Sequence, residues 1–199
     1  MNKLLAQKIL KLFGWKMSGN LPPGCMKCIV VMAPHTSNWD FVIGWLGYHS
    51  LGLRSRYLIK KEAFIFPLGI LVKWLGGIPV DRRKGNSALL HVSEMFKNEQ
   101  ELILTITPEG TRALNRNWKR GFYSLARNAG VPIVLGFLDY RKKVGGLGPL
   151  VYASGDYSAD MKVIESFYHD KSARFPVNFN LSPESRLKAF ENNTSKEEF

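Results

Sequence analysis

Over residues 1–17, Leu5, Ile9, Leu12, Phe13 and Met17 fall on one side at helical spacing, with Ala6 and Leu10 at its flank. Lys3, Gln7, Lys8 and Lys11 fall opposite. The pattern predicts a basic amphipathic helix, from which Leu4, Trp15 and Lys16 depart. Such a helix either packs its apolar side on a domain or lies in a membrane interface, and this segment alone does not choose. Residues 19–24, with Pro22 and Pro23 between glycines, read as a connector.

Beyond the connector, short apolar runs alternate with helical patterns. Strands are predicted at 28–33, 57–60, 77–80, 102–106 and 132–138. Helices are predicted at 39–51, from Pro67 to Leu75, from an Asn86 cap to about Lys97, and at 122–128, where Gly130 can end the last. After Tyr140 the signals weaken. Ser182-Pro183-Glu184 resembles a helix start, and the tail from Asn192 is expected to fray. The alternation implies an α/β fold, a single domain with a central mixed, largely parallel sheet flanked by helices. The expected organisation is an amphipathic helix and connector over 1–20, the main domain over 21–190 and a flexible tail over 191–199.

Composition narrows the picture. Hydrophobic residues at 45% and charged residues at 22% mark a globular chain. Twenty-eight Lys and Arg against sixteen Asp and Glu give a net charge of +12, which attracts nucleic acid, anionic lipid headgroups or phosphorylated substrates. A nucleic-acid module needs a groove-reading helix or an aromatic–basic RNA motif, and neither is legible here. A transmembrane helix needs roughly 20 consecutive apolar residues. The best candidate, 63–80, is broken by Pro67, Lys73, Gly76, Gly77 and Pro79. Lys8, Lys11 and Lys16 likewise break the start in a way unlike a cleaved signal peptide. Cys25 and Cys28 have redox or half-zinc spacing, but no second pair follows. They read as packing residues in a reducing, cytosolic setting.

Three loops carry candidate chemistry. In the first, His35 and Asp40 lie five positions apart across a strand-to-helix turn. The chain can fold back so that the carboxylate meets one imidazole nitrogen and the other faces a cavity, the arrangement of an oriented general base. Asp40 or Ser37 can equally serve as a helix cap. In the second, Lys60, Lys61 and Arg82 flank a strand–helix–strand unit and can converge on an anion, or simply be solvated, with Asp81 pairing locally. In the third, Gly110 permits a tight turn, Thr111 can donate a hydrogen bond and Arg112 can bind phosphate. Glu109 can hold a nearby cation or accept from a substrate hydroxyl. Trp45, Phe64, Phe66 and Trp74 read either as core, their commoner fate, or as walls of an apolar channel.

Taken together and in order, these stretches resemble the glycerolipid acyltransferase family, typified by 1-acyl-glycerol-3-phosphate acyltransferases. The motif His-x4-Asp, often with Ser two after the His, is matched by His35, Ser37 and Asp40. Lys61, Pro67, Gly69, Gly77, Asp81 and Arg82 resemble the second region, and Pro108–Arg112 the full third motif, Pro-Glu-Gly-Thr-Arg. Val131-Pro132-Ile133-Val134 is similar to the fourth, proline-centred motif, and Lys119-Arg120-Gly121-Phe122 to the basic link before it. Pro34, Thr107 and Ala113 depart from common choices and leave the acceptor lipid open.

The resemblance implies acyl transfer from acyl-CoA or acyl-carrier protein, as substrate rather than cofactor, to a lysolipid hydroxyl. His35 and Asp40 are then catalytic, and Lys61, Arg82, Glu109, Gly110, Thr111 and Arg112 bind substrate. No cofactor or metal is implied. An anionic membrane surface is an expected partner, nucleic acid is not, and the expected location is peripheral, on the cytoplasmic face.

Overall fold

The computed structural model describes residues 1–81 and 85–181. Within them seven strands form one sheet: β1 (Lys16–Ser18), β2 (Lys27–Ala33), β3 (Ser55–Lys60), β4 (Gly77–Val80), β5 (Leu102–Ile106), β6 (Ile133–Asp139) and β7 (Val144–Val151). The order is β1-β7-β6-β2-β5-β3-β4, and every pairing is parallel except β6 with β7. The helices are α1 (Lys3–Leu12), α2 (Asn38–Leu51), α3 (Leu68–Trp74), α4 (Gly85–Asn98), α5 (Gly121–Ala129) and α6 (Tyr157–Tyr168). This is the expected α/β domain with a mixed, largely parallel sheet.

Strand β2 shows why the layers form. A central parallel strand is covered on both faces and so carries an unbroken apolar run rather than an alternating one. Ile29, Val31 and Ala33 enter a core shared with Val92 and Phe96 of α4, Phe122 and Leu125 of α5, and Ile164 of α6. Cys28, Val30 and Met32 enter a second core with Leu10 of α1 and Ile43, Leu46 and Tyr48 of α2. Cys28 is fully buried, and both cysteines are free, in keeping with a packing role.

The amino-terminal helix is shorter than its periodicity predicts. It stops at Leu12, the chain turns at Gly14 (φ 77°), and Lys16–Ser18 pair with β7. Trp15 supplies the reason: it is buried and packs edge-on against Tyr140, with ring centroids 5.0 Å apart. Met17 therefore belongs to the sheet. The buried side of α1 is Ala6 and Leu10, while Leu5, Leu12 and Phe13 are exposed.

Strand β7 and helix α6 lie where the sequence pattern fades. Gly145, Gly146, Gly148 and Pro149 hide the strand, because glycine and proline weaken strand patterning. Gly148 is needed where it stands, since a Cβ there meets the Phe167 ring at 2.4 Å. Helix α4 begins at Gly85, so Asn86 sits inside its first turn rather than before it. Arg82, the helix start at 182–184 and the tail 191–199 lie outside the described residues.

Candidate active site

Strand register pairs Val31 with Ile106 and Tyr57 with Thr105, so the carboxyl ends of β2, β3 and β5 are level. The loops carrying His35 and Gly110 leave the sheet at that edge, where α/β folds gather ligand sites, and Lys60 ends β3 beside them.

The His35 loop is held by the start of α2. Ser37 is the N-cap, and its hydroxyl accepts from the Trp39 amide at 3.2 Å. Asp40, at the third helical position, turns back so that its Oδ2 accepts from the amides of Thr36 and Ser37, both at 2.7 Å. The same Oδ2 lies 3.3 Å from His35 Nδ1. The capping and orienting readings of Asp40 are thus both realised in one buried carboxylate. Its Oδ1 accepts from the Tyr140 hydroxyl at 2.6 Å. Burial and the neighbouring Asp40 carboxylate raise the Tyr140 pKa, keeping that hydroxyl a donor. With Nδ1 directed to Asp40, Nε2 is left for the cavity that His35 lines.

Glu109 departs from its expected role. It is 2% exposed and does not line the cavity. Its Oε1 accepts from the His35 backbone amide at 3.0 Å, whereas Oε2 is buried without a partner. Burial, opposed only in part by the two backbone N–H groups it faces, pushes its pKa up to about 8. Rather than grip substrate, it braces the main chain of the candidate base. A carboxyl with a higher pKa folded than unfolded holds its proton more tightly when folded. Its contribution to stability is therefore greatest below about pH 4.5 and declines as pH rises to about 8. Glu109→Gln keeps the acceptor but not the titration. Chemical denaturation across that range is expected to show a flatter pH dependence for the variant, and an unchanged slope would reject the assignment.

The cations sort differently from their sequence order. Lys61 pairs with Asp81 at 2.6 Å, and it is Lys60 that lines the cavity. Gly110 (φ 67°), Thr111 and Arg112 also line it. Lys119, which sequence reasoning placed only in a linking segment, lines it too. Its Nζ stands 2.8 Å from where a Cβ on Gly110 would be, but that flexible side chain can move, so it is the left-handed backbone that calls for glycine.

The cavity measures ≈ 1280 Å³. Besides His35 and the cations, its walls include Phe41, Val42, Tyr48, Tyr57, Val72 and Leu125, an apolar lining suited to an alkyl chain. Of the four aromatic residues considered as channel walls, none lines it. Phe66 and Trp74 are exposed, and Trp45 packs on Trp74 with centroids 5.6 Å apart.

The family model described as Acyltransferase matches residues 18–134. No curated protein sequence matches the chain. Among solved structures, the 1-acyl-sn-glycerophosphate acyltransferase PlsC from Thermotoga maritima shares the fold, with a TM-score of 0.56 and 18% identity over 83% of this chain and 74% of that one.

Proposed function

The chain belongs to the acyltransferase family, and on that premise we propose that it moves a fatty acyl group from acyl-CoA or acyl-carrier protein to a hydroxyl of a lysophospholipid. The acceptor that fits best is 1-acyl-glycerol-3-phosphate, which places the reaction in phospholipid biosynthesis. The observation that carries this reading is the His35–Asp40 pair set in a cavity with cations and apolar walls.

In this mechanism Asp40 accepts from Nδ1–H, and Nε2 removes the proton from the acceptor hydroxyl as its oxygen attacks the thioester carbonyl. The C–O bond forms, the tetrahedral intermediate collapses, the C–S bond breaks, and the thiol leaves with the proton returned by the imidazolium. Donors in the cavity wall stabilise the oxyanion. Arg112, Lys60 and Lys119 hold the acceptor phosphate, with Gly110 and Thr111 shaping the turn beside it. Proximity of the two bound substrates supplies much of the rate.

The proposed setting is the cytoplasmic membrane surface. Among the described residues no helix is long and apolar enough to cross a bilayer. The exposed Leu5 and Leu12 of α1 and Phe13 just after it suit shallow insertion, and the lysines of α1 suit anionic headgroups.

The test is transfer of labelled acyl groups from both donors to a panel containing lysophosphatidate, other lysophospholipids and a lyso-aminolipid. Preference for lysophosphatidate supports the reading. Preference for the aminolipid moves the substrate class, and lipid binding without transfer from either donor points to a non-catalytic relative. Within the same assay, Tyr140→Phe is expected to lower kcat about tenfold with little change in KM, because a charge-assisted hydrogen bond to Asp40 is lost while the cavity is untouched. An unchanged kcat would remove Tyr140 from the site.

A further inference from the structure

Exposed large apolar side chains are unevenly distributed among the described residues. Helices α4 to α6 expose Leu90 and Val163 singly, which is ordinary for a soluble surface. In contrast, Ile65, Phe66, Leu68, Ile70, Leu71 and Trp74 are each 50–82% exposed within ten residues. The apolar surface continues onto α2, whose Trp45 packs on Trp74 and whose Trp39 and Val42 are also exposed.

The local reason is that α3 has only a narrow inward side. Gly69 lies so close to the preceding turn that a Cβ there meets the Phe64 carbonyl oxygen at 2.5 Å. Val72 and the following Leu75 line the cavity from this side. Among the described residues none covers the remaining apolar residues of the segment, and a contiguous patch of this kind marks an interaction surface.

Charge selects the occupant. Residues 63–80 contain no Asp or Glu and Lys73 lies exposed within the patch, while the exposed charges at its edge are Lys60, Lys61 and Glu62. An apolar face whose internal charge is a lysine, edged at 60–62 by two lysines and one acid, matches an anionic lipid layer, whose headgroups meet the lysines while its tails accept the apolar side chains. The cavity adjoins the same surface: Val42 of α2, which is 41% exposed, lines it, as does Val72 of α3.

We propose that residues 65–74 are the principal bilayer-docking element of this protein, seating the gap between α2 and α3 on an anionic lipid surface so that a lipid chain passes sideways into the cavity. The docking element deepens the acyltransferase reading and rests on it for the identity of the lipid delivered. The experiment is flotation with vesicles of phosphatidylcholine and phosphatidylglycerol, comparing wild type, Ile65→Ser/Phe66→Ser and Leu5→Ser/Leu12→Ser. Removing two inserting side chains from the principal element is expected to lower vesicle partition at least about tenfold, with a smaller loss for the α1 pair. In parallel, brominated lipid is expected to quench tryptophan fluorescence of the wild type, and Trp74→Phe to reduce that quenching, leaving the part due to Trp39 and Trp45 of α2, a readout that does not depend on the serine variant.

Flotation of Ile65→Ser/Phe66→Ser equal to wild type, or quenching unaffected by Trp74→Phe, overturns the proposal. So does a vesicle-free wild-type dimer that the serine variant splits into monomers, which would make a second copy the occupant. Binding and catalysis are read separately. Transfer to a short-chain, monomeric lysolipid is expected to survive in the serine variant while transfer to vesicle-embedded acceptor falls. A wild type that floats but transfers nothing would reject the acyltransferase reading and leave the docking element standing.

Discussion

His35→Ala is expected to lower kcat for acyl transfer by about 10²–10⁴-fold, the usual contribution of a positioned general base. The fold should survive, because the loop is held without the imidazole. Ser37 and Asp40 cap α2, and Glu109 takes the His35 backbone amide, which alanine retains. KM for both substrates should change little, since the cations and apolar walls of the cavity remain. Steady-state kinetics with circular dichroism on the same preparations checks this. A folded variant with wild-type kcat would show that His35 is not the base.

Asp40→Ala is expected to lose both activity and stability. It leaves the amides of Thr36 and Ser37 and the Tyr140 hydroxyl without their acceptor in a buried setting. Leaving a buried donor unsatisfied costs about 1–3 kcal/mol, and losing a helix cap alone costs about 1 kcal/mol. The expected destabilisation is therefore about 3 kcal/mol, allowing for partial access of water. Asp40→Asn separates the two roles. Its amide oxygen can still accept from Thr36 and Ser37, and the Tyr140 hydroxyl can rotate to accept from the new NH₂. Stability should stay within about 1 kcal/mol of wild type. Catalysis should still fall by about 10²-fold or more, because the negative charge that stabilises the imidazolium is gone. Denaturation and kinetics on both variants decide it. An asparagine variant that is fully active would reduce Asp40 to a helix cap.

The amino-acid sequence by itself determined what is local. The apolar run of β2 declared a strand covered on both faces, and helix–strand alternation declared the α/β layers. The His35–Asp40 pairing was legible because its partners lie within one turn, where the capping geometry of α2 leaves little freedom. Gly110 was legible as a turn, and its left-handed backbone follows. The end of α1 was not legible from periodicity, because Met17 continues the apolar spacing of the helix while pairing in the sheet.

Only the tertiary structure decided the contacts that cross the chain. Glu109 reaches the His35 amide across 74 positions, and Tyr140 reaches Asp40 across 100. Both meetings depend on β5 and β6 flanking β2, which no local pattern specifies. The choice of Lys60 over Lys61 as the cavity cation also waited for the fold. Adjacent residues at a strand end point in different directions, so neighbouring lysines of identical chemistry are separated by geometry alone. The same holds for the apolar residues at 65–74. Composition marked them as hydrophobic, but whether such side chains form a core or an outer face depends on whether another layer packs above them, and here none of the described elements does.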